Sequence, residues 1–196
     1  MPKAKWTCLL LAPVALAGCQ TAVPPVEVTR FHIGEQTGRG TIAVEPLTLN
    51  DDTSIEYRTY AAAVGRELQR LGFTEQSGTG SQYIASVNYL RGVRDRLAGG
   101  RSPVSVGVGG STGSYGSGLG VGIGINLSGP PKPIVTTQLN VQIKRRADMS
   151  VIWEGRAITE AKEGSPAAQP GMAASKLADA LFRDFPGVSG QTIRVK

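Results

Sequence analysis

Histidine and cysteine are almost missing from this chain. There is one histidine, His32, and there are two cysteines, Cys8 and Cys19. That excludes a disulfide framework, a Cys/His zinc site and most histidine-based catalysis. Aromatic residues make up 6%. No apolar run reaches the roughly 18 residues that mark a membrane-crossing helix. Hydrophobic content is 40% and charged content 18%, too apolar for a disordered chain and too polar for a multi-span membrane protein. Glycine is the excess: 26 of 196 residues, with twelve of them between Gly99 and Gly129. One low-complexity insert interrupts an otherwise ordinary globular sequence.

Lys3 and Lys5 precede an uncharged, mostly apolar stretch from Trp6 to Ala17. As a helix it spans about 18 Å at 1.5 Å per residue, short of a bilayer core of about 30 Å. It reads as the core of a signal peptide over residues 1–18. The stretch ends in Leu16-Ala17-Gly18-Cys19, which resembles the bacterial lipobox. The resemblance implies cleavage between Gly18 and Cys19 and acylation of Cys19. The alternative is plain secretion with a free thiol there. Cleavage removes Lys3, Lys5 and Cys8 and lowers the net charge from +6 to +4. Each buried CH₂ contributes about 0.8 kcal/mol, so two or more acyl chains anchor stably where one is marginal. Gln20, where an Asp would favour the inner membrane in such lipoproteins, points to the outer membrane, on its periplasmic face. Residues 19–25 are then a lipidated tether of at most about 20 Å, and 26–196 form one periplasmic domain.

Hydrophobic spacing along that domain predicts strands at Val26–Ile33, Thr41–Leu47, Tyr83–Val93, Thr136–Lys144 and Val151–Ala161. Leu139, Val141 and Ile143 alternate with Gln138, Asn140 and Gln142. The turn Ala147-Asp148-Met149-Ser150 joins the last two strands into a hairpin, with Trp153 as its packing anchor. Tyr57, Tyr60, Ala61, Val64, Leu68 and Leu71 recur at helical spacing. Thr53 is the expected N-cap, Glu56 the third residue of a capping box, and Gly72 the stop. A second helix is expected from about Met172 to Phe185, ended by Pro186-Gly187, with a short edge strand at Ile193 and Val195. The implied fold is α+β: a two-layer sandwich with a mainly antiparallel sheet and two helices packed on one face.

The insert, about 99–133, alternates Val104, Val106 and Val108 with Ser and Gly. It then alternates Leu119, Val121, Ile123, Ile125 and Leu127 with Gly, Asn and Ser. Period 2 predicts a β-hairpin with one apolar and one bare face, with Gly110–Gly118 as the connection and Tyr115 near the tip. Three uses fit: a surface hairpin lying on its own domain, an edge that binds a partner or another copy, or a membrane-inserting hairpin.

Chemical motifs are sparse. Gly109-Gly110-Ser111-Thr112-Gly113 has the nucleophile-elbow spelling, but no helix follows it and His32 lies upstream. The insert lacks the G-K-[ST] of a phosphate loop. Asp51-Asp52 suit the positive end of the first helix better than a carboxylate pair for glycoside cleavage. No catalytic residue, metal site or cofactor is expected. Basic residues cluster at Arg91, Arg94, Arg96 and Arg101, and at Lys144, Arg145 and Arg146. They are candidate contacts for anionic headgroups or cell-wall polymer. Nucleic acid is not an expected partner.

The lipobox, Gly40-Thr41-Ile42-Ala43-Val44-Glu45-Pro46, Leu68-Gln69-Arg70-Leu71-Gly72-Phe73, the Gly-rich stretch and Val151-Ile152-Trp153-Glu154-Gly155-Arg156-Ala157 together resemble the bacterial lipoproteins catalogued as domain of unknown function 4136. The resemblance implies an envelope lipoprotein with no assigned activity, in which Cys19 is the one transferable functional position. The expected role is non-catalytic: binding or supporting another envelope component, a protein or cell-wall polymer. The alternatives are an oligomerising or membrane-inserting lipoprotein that uses the hairpin, and a carboxylate-based cell-wall hydrolase.

Overall fold

The computed structural model describes residues 23–34, 39–47, 54–95, 104–113, 116–125 and 132–196. The signal segment, Cys19, Thr53, the Asp51-Asp52 pair, Arg96, Arg101 and Tyr115 lie outside the described residues. In chain order the elements are β1 (Val26–His32), β2 (Thr41–Pro46), α1 (Ile55–Arg70), β3 (Thr74–Glu75), β4 (Tyr83–Arg94), β5 (Val104–Gly113), β6 (Gly116–Ile125), β7 (Ile134–Arg145), β8 (Val151–Lys162), α2 (Pro170–Phe182) and β9 (Thr192–Val195).

Seven strands form one open sheet in the order β3-β2-β4-β7-β8-β1-β9. The ladder β4–β7–β8–β1–β9 is antiparallel, and β2 runs parallel to both β3 and β4. β7 is the central strand, and its residues alternate strictly between buried and half-buried from Ile134 to Ile143. Leu139, Val141 and Ile143 lie in the core as expected, because one face of a strand receives every second side chain. The core side of the sheet joins Tyr57, Tyr60, Val64 and Leu68 of α1 and Leu177, Ala178 and Leu181 of α2 in a single cluster. Both helices therefore cover the same face. Each is a crossover between parallel strands, α1 between β2 and β4, α2 between β8 and β9. They run side by side in the same direction, with Arg66 bonded to Ser175 and Arg70 to Asp179.

Helix α1 begins one residue later than the spacing suggested. Ser54, not Thr53, is the N-cap, and its Oγ accepts from the Tyr57 N–H at 3.2 Å. At the other end Gly72 adopts φ +95°. The N–H groups of Gly72 and Phe73 then reach back to Gln69 and Leu68 in a Schellman closure. Helix α2 differs more. Pro170, two residues before the expected start, is its first residue, where a missing N–H costs nothing. The helix stops at Phe182, short of Phe185, with Asp184 at φ +57°.

The first half of β4 is buried on both faces: Ile84, Ala85, Ser86 and Val87 are all buried. In β8 a bulge at Ile152 breaks the pairing between Ile143 and Lys144, and Ile152 and Trp153 are both buried. The insert does form an antiparallel hairpin, β5–β6, in a sheet of its own. Its strands are longer than the pattern implied, running into Gly110–Gly118, which had read as the connection.

Candidate functional site

Strand register brings the chain's points of departure to one end of the sheet. Arg91 pairs with Thr137, Thr137 with Thr159, and Thr159 with Val26. The start of β1, where the tether enters, therefore lies level with the last turn of the β4–β7 ladder. At that same end Arg94 pairs with Ile134, the two residues between which the glycine-rich insert leaves and returns. The Thr159 hydroxyl donates to the Pro25 carbonyl at 3.1 Å and fixes the tether's entry.

The first basic cluster sits here, and its described members are engaged. Arg91 donates to the Ala168 carbonyl at 2.6 Å and stands 3.5 Å from the Glu56 carboxylate. Arg94 pairs with Glu160 at 3.0 Å. Beside Arg91, Tyr60 of α1 stacks on Tyr89 of β4 with ring centroids 4.6 Å apart. The Tyr60 hydroxyl is buried and faces the Thr137 side chain. Burial first, and the nearby Glu56 charge second, push its pKa up to about 12. At neutral pH it is a neutral phenol. A depression of about 400 Å³ on the same end is lined by Pro25, Glu27, Ile158, Thr159, Glu160 and Arg194. Two of its carboxylates are neutralised, Glu27 by Arg194 at 2.7 Å and Glu160 by Arg94.

The second basic cluster lies at the opposite end, since Arg145 pairs with Tyr83 at the start of β4. Arg91 lies eight positions along β4 from Tyr83, the partner of Arg145, about 26 Å at 3.3 Å per residue. The two clusters do not form one patch. Arg146 holds Glu45 at 2.5 Å and donates to Ser81 Oγ. Arg145 holds Asp148 at 3.0 Å, and Lys144 is half-buried. Asp148 accepts from the Ser150 hydroxyl and its backbone N–H. Those bonds, with Arg145 behind them, lower its pKa to about 2. This carboxylate shapes a turn in which Met149 has φ +58°.

Sequence reasoning missed Arg30. It alternates correctly for the inner face of β1, and it is 3% exposed. Its Nε donates to the Leu181 carbonyl and its Nη2 to those of Ala180 and Arg183, all within 2.9 Å. A buried guanidinium thus caps the negative end of α2. Burial lowers its pKa, and Asp184 opposes that shift. The signal that could have found it is a charge at a core position in the pattern Val26, Val28, Arg30. His32 is half-buried at the end of the same strand. Its Nε2 lies 3.2 Å from the Gly187 carbonyl, and its Nδ1 accepts from the Gly34 N–H. Among the described residues no group of three or more His, Cys, Asp or Glu gathers as a metal site.

The described geometry is an α+β sheet with two covering helices, in which β1 starts and the glycine-rich insert leaves and returns at one end. The family match then fixes the class. Residues 40–187 match the model of the Domain of unknown function (DUF4136) family, and the chain belongs to that family. A relative is an uncharacterized protein of Zymomonas mobilis subsp. mobilis. It is 33% identical over 89% of this chain and 82% of its own. Among solved structures, the fold resembles a PDZ domain protein from Parabacteroides distasonis, with TM-score 0.52 and 13% identity. That match covers 88% of this chain, which spans 39% of the other protein. A PelC dodecamer from Paraburkholderia phytofirmans aligns at TM-score 0.46 and 14% identity, over 85% of this chain and 99% of that one.

Proposed function

We propose that this protein is a lipoprotein of the Gram-negative outer membrane, anchored through Cys19 on the periplasmic face. Its role is a non-catalytic one, binding or supporting another envelope component. The observation that carries the reading is the sequence Leu16-Ala17-Gly18-Cys19, placed six residues before the first strand at Val26. A short tether between lipid and fold holds the domain against the membrane surface. The ion pairing of five described carboxylates supports a binding role over a hydrolytic one that would use them. Glu56, Glu45, Glu160, Asp148 and Asp179 each face a guanidinium within 3.5 Å.

The test is metabolic labelling with a fatty-acid probe. The wild-type chain takes up label and fractionates with outer membranes. Cys19→Ala takes up none, stays unprocessed at this site, and leaves the outer-membrane fraction. Label on Cys19→Ala overturns the anchor. Cleavage of cell-wall polymer by the purified chain, lost on changing one carboxylate, overturns the non-catalytic role.

A further inference from the structure

The glycine-rich hairpin carries an inference beyond the lipid anchor. No charged residue and no histidine occurs between Arg101 and Lys132. Within that run β5 and β6 are ten residues each. A tilted strand needs about 9–11 residues to cross the hydrocarbon core. The register sets Val104 opposite Ile125, Val106 opposite Ile123 and Val108 opposite Val121. Between them Gly107 pairs with Gly122 and Gly109 with Gly120. Directly paired residues share a face of the ribbon, so over Val104–Val108 and Leu119–Ile125 the register sets apolar residues on one face and Gly or Ser on the other; toward the tip Gly110 pairs with Leu119 and Thr112 with Ser117. That is the alternation of a membrane-crossing β-strand, lipid on one side and a lumen on the other.

Position agrees with pattern. The insert leaves after Arg94 and returns before Ile134, a cross-strand pair at the sheet end where β1 also starts. In sequence, Arg94, Arg96, Arg101 and Lys132 flank the charge-free run, the arrangement that suits anionic headgroups at the edge of a bilayer.

Among the described residues neither β5 nor β6 pairs with the seven-stranded sheet, which leaves both outer edges of the ribbon open there. Open edges do not persist in hydrocarbon, where unpaired N–H and C=O groups find no water. Closure into a barrel satisfies them, and the strands available are those of further copies. We infer that β5–β6 is a membrane-crossing hairpin, one per chain, closed side by side with the hairpins of other copies into a β-barrel. The inference rests on the lipid-anchor reading only for which membrane is crossed.

The experiment uses the mature chain in vesicles of phosphatidylethanolamine and phosphatidylglycerol. Single cysteines replace Val121, Gly122, Ile123 and Gly124 in turn and carry a fluorophore. Positions 121 and 123 should be quenched severalfold more by nitroxide lipid than by iodide, and 122 and 124 the reverse. The protein should also run as a detergent-resistant oligomer. Iodide quenching at all four positions overturns the inference. So does shielding that is the same without vesicles, and so does lipid quenching in a strictly monomeric protein. The parent chain without an added cysteine reports on the anchor separately. If Cys19 is acylated it takes no label. If it does take label, the anchor reading fails while the quenching pattern is still read in a Cys8→Ser, Cys19→Ser background.

Discussion

Gly155 of β8 lies under the rim of the Trp153 indole. A Cβ there would collide with Trp153 Cη2 and stand 2.7 Å from Leu181 Cδ1. The ring cannot move away. Its Nε1 donates to the Pro186 carbonyl at 3.0 Å, and Phe182 and Phe185 flank it with centroids 5.4 and 5.2 Å distant. Gly155→Ala should therefore lower stability by about 1–3 kcal/mol, the usual result of overpacking a filled core. Urea unfolding of the two proteins measures it. A difference under about 0.5 kcal/mol, typical of a surface site, would mean the ring is free to shift.

Arg30→Met keeps the length of the side chain and removes its donors. The Ala180, Leu181 and Arg183 carbonyls then lose their partner at the end of α2. Each acceptor that water cannot reach costs about 1–3 kcal/mol. Arg194→Met, which breaks an exposed pair with Glu27, should cost at most about 1 kcal/mol. Equal losses in the two variants, measured by denaturant unfolding, would refute the capping role.

Asp148 gives a pH signature. Its folded pKa, about 2, lies below the ordinary 3.8, so the bonds to Ser150 and Arg145 favour folding while the carboxylate is charged. That contribution is complete above the unfolded value and fades as pH falls through about 4 toward 2. Wild type should be more stable than Asp148→Asn at neutral pH, and the gap should close across that window. A gap that persists unchanged at the acid end would contradict the assignment.

Removal of the insert should leave the domain folded. Arg94 and Ile134 are cross-strand neighbours, so a short Gly/Ser linker in place of residues 101–133 spans their separation. Thermal unfolding of the signal-free domain should remain cooperative. Failure to fold would show that the hairpin completes the core, despite its separate sheet.

Much of the fold was legible because its two periods are clean. The alternation through Leu139, Val141 and Ile143 and the helical stripe through Tyr57, Tyr60, Val64 and Leu68 each name their own buried face. The short β3 was not legible: Thr74 and Glu75 are exposed, and pairing with β2, rather than pattern, makes them a strand. Nor was the N-cap, because Thr53 and Ser54 have equivalent hydroxyls and only the backbone path selects one. The Arg91 and Arg146 clusters looked alike in sequence. Each arginine turns out to be held by a carboxylate from a distant segment, Glu56 and Glu45.

By itself the sequence determined the local facts: the residues fit for strand or helix, and the apolar alternation of the insert. These follow from side-chain size, polarity and spacing within a few residues. Only the tertiary structure decided which strands are neighbours. It set β1 beside β8 and not beside β2, placed Arg30 under the end of α2, and brought the start of β1 and the two ends of the insert to one end of the sheet. Strand pairing is long-range. Any two strands of matching alternation can form a ladder, and the choice among them is made by the helices and connections that must be packed at the same time.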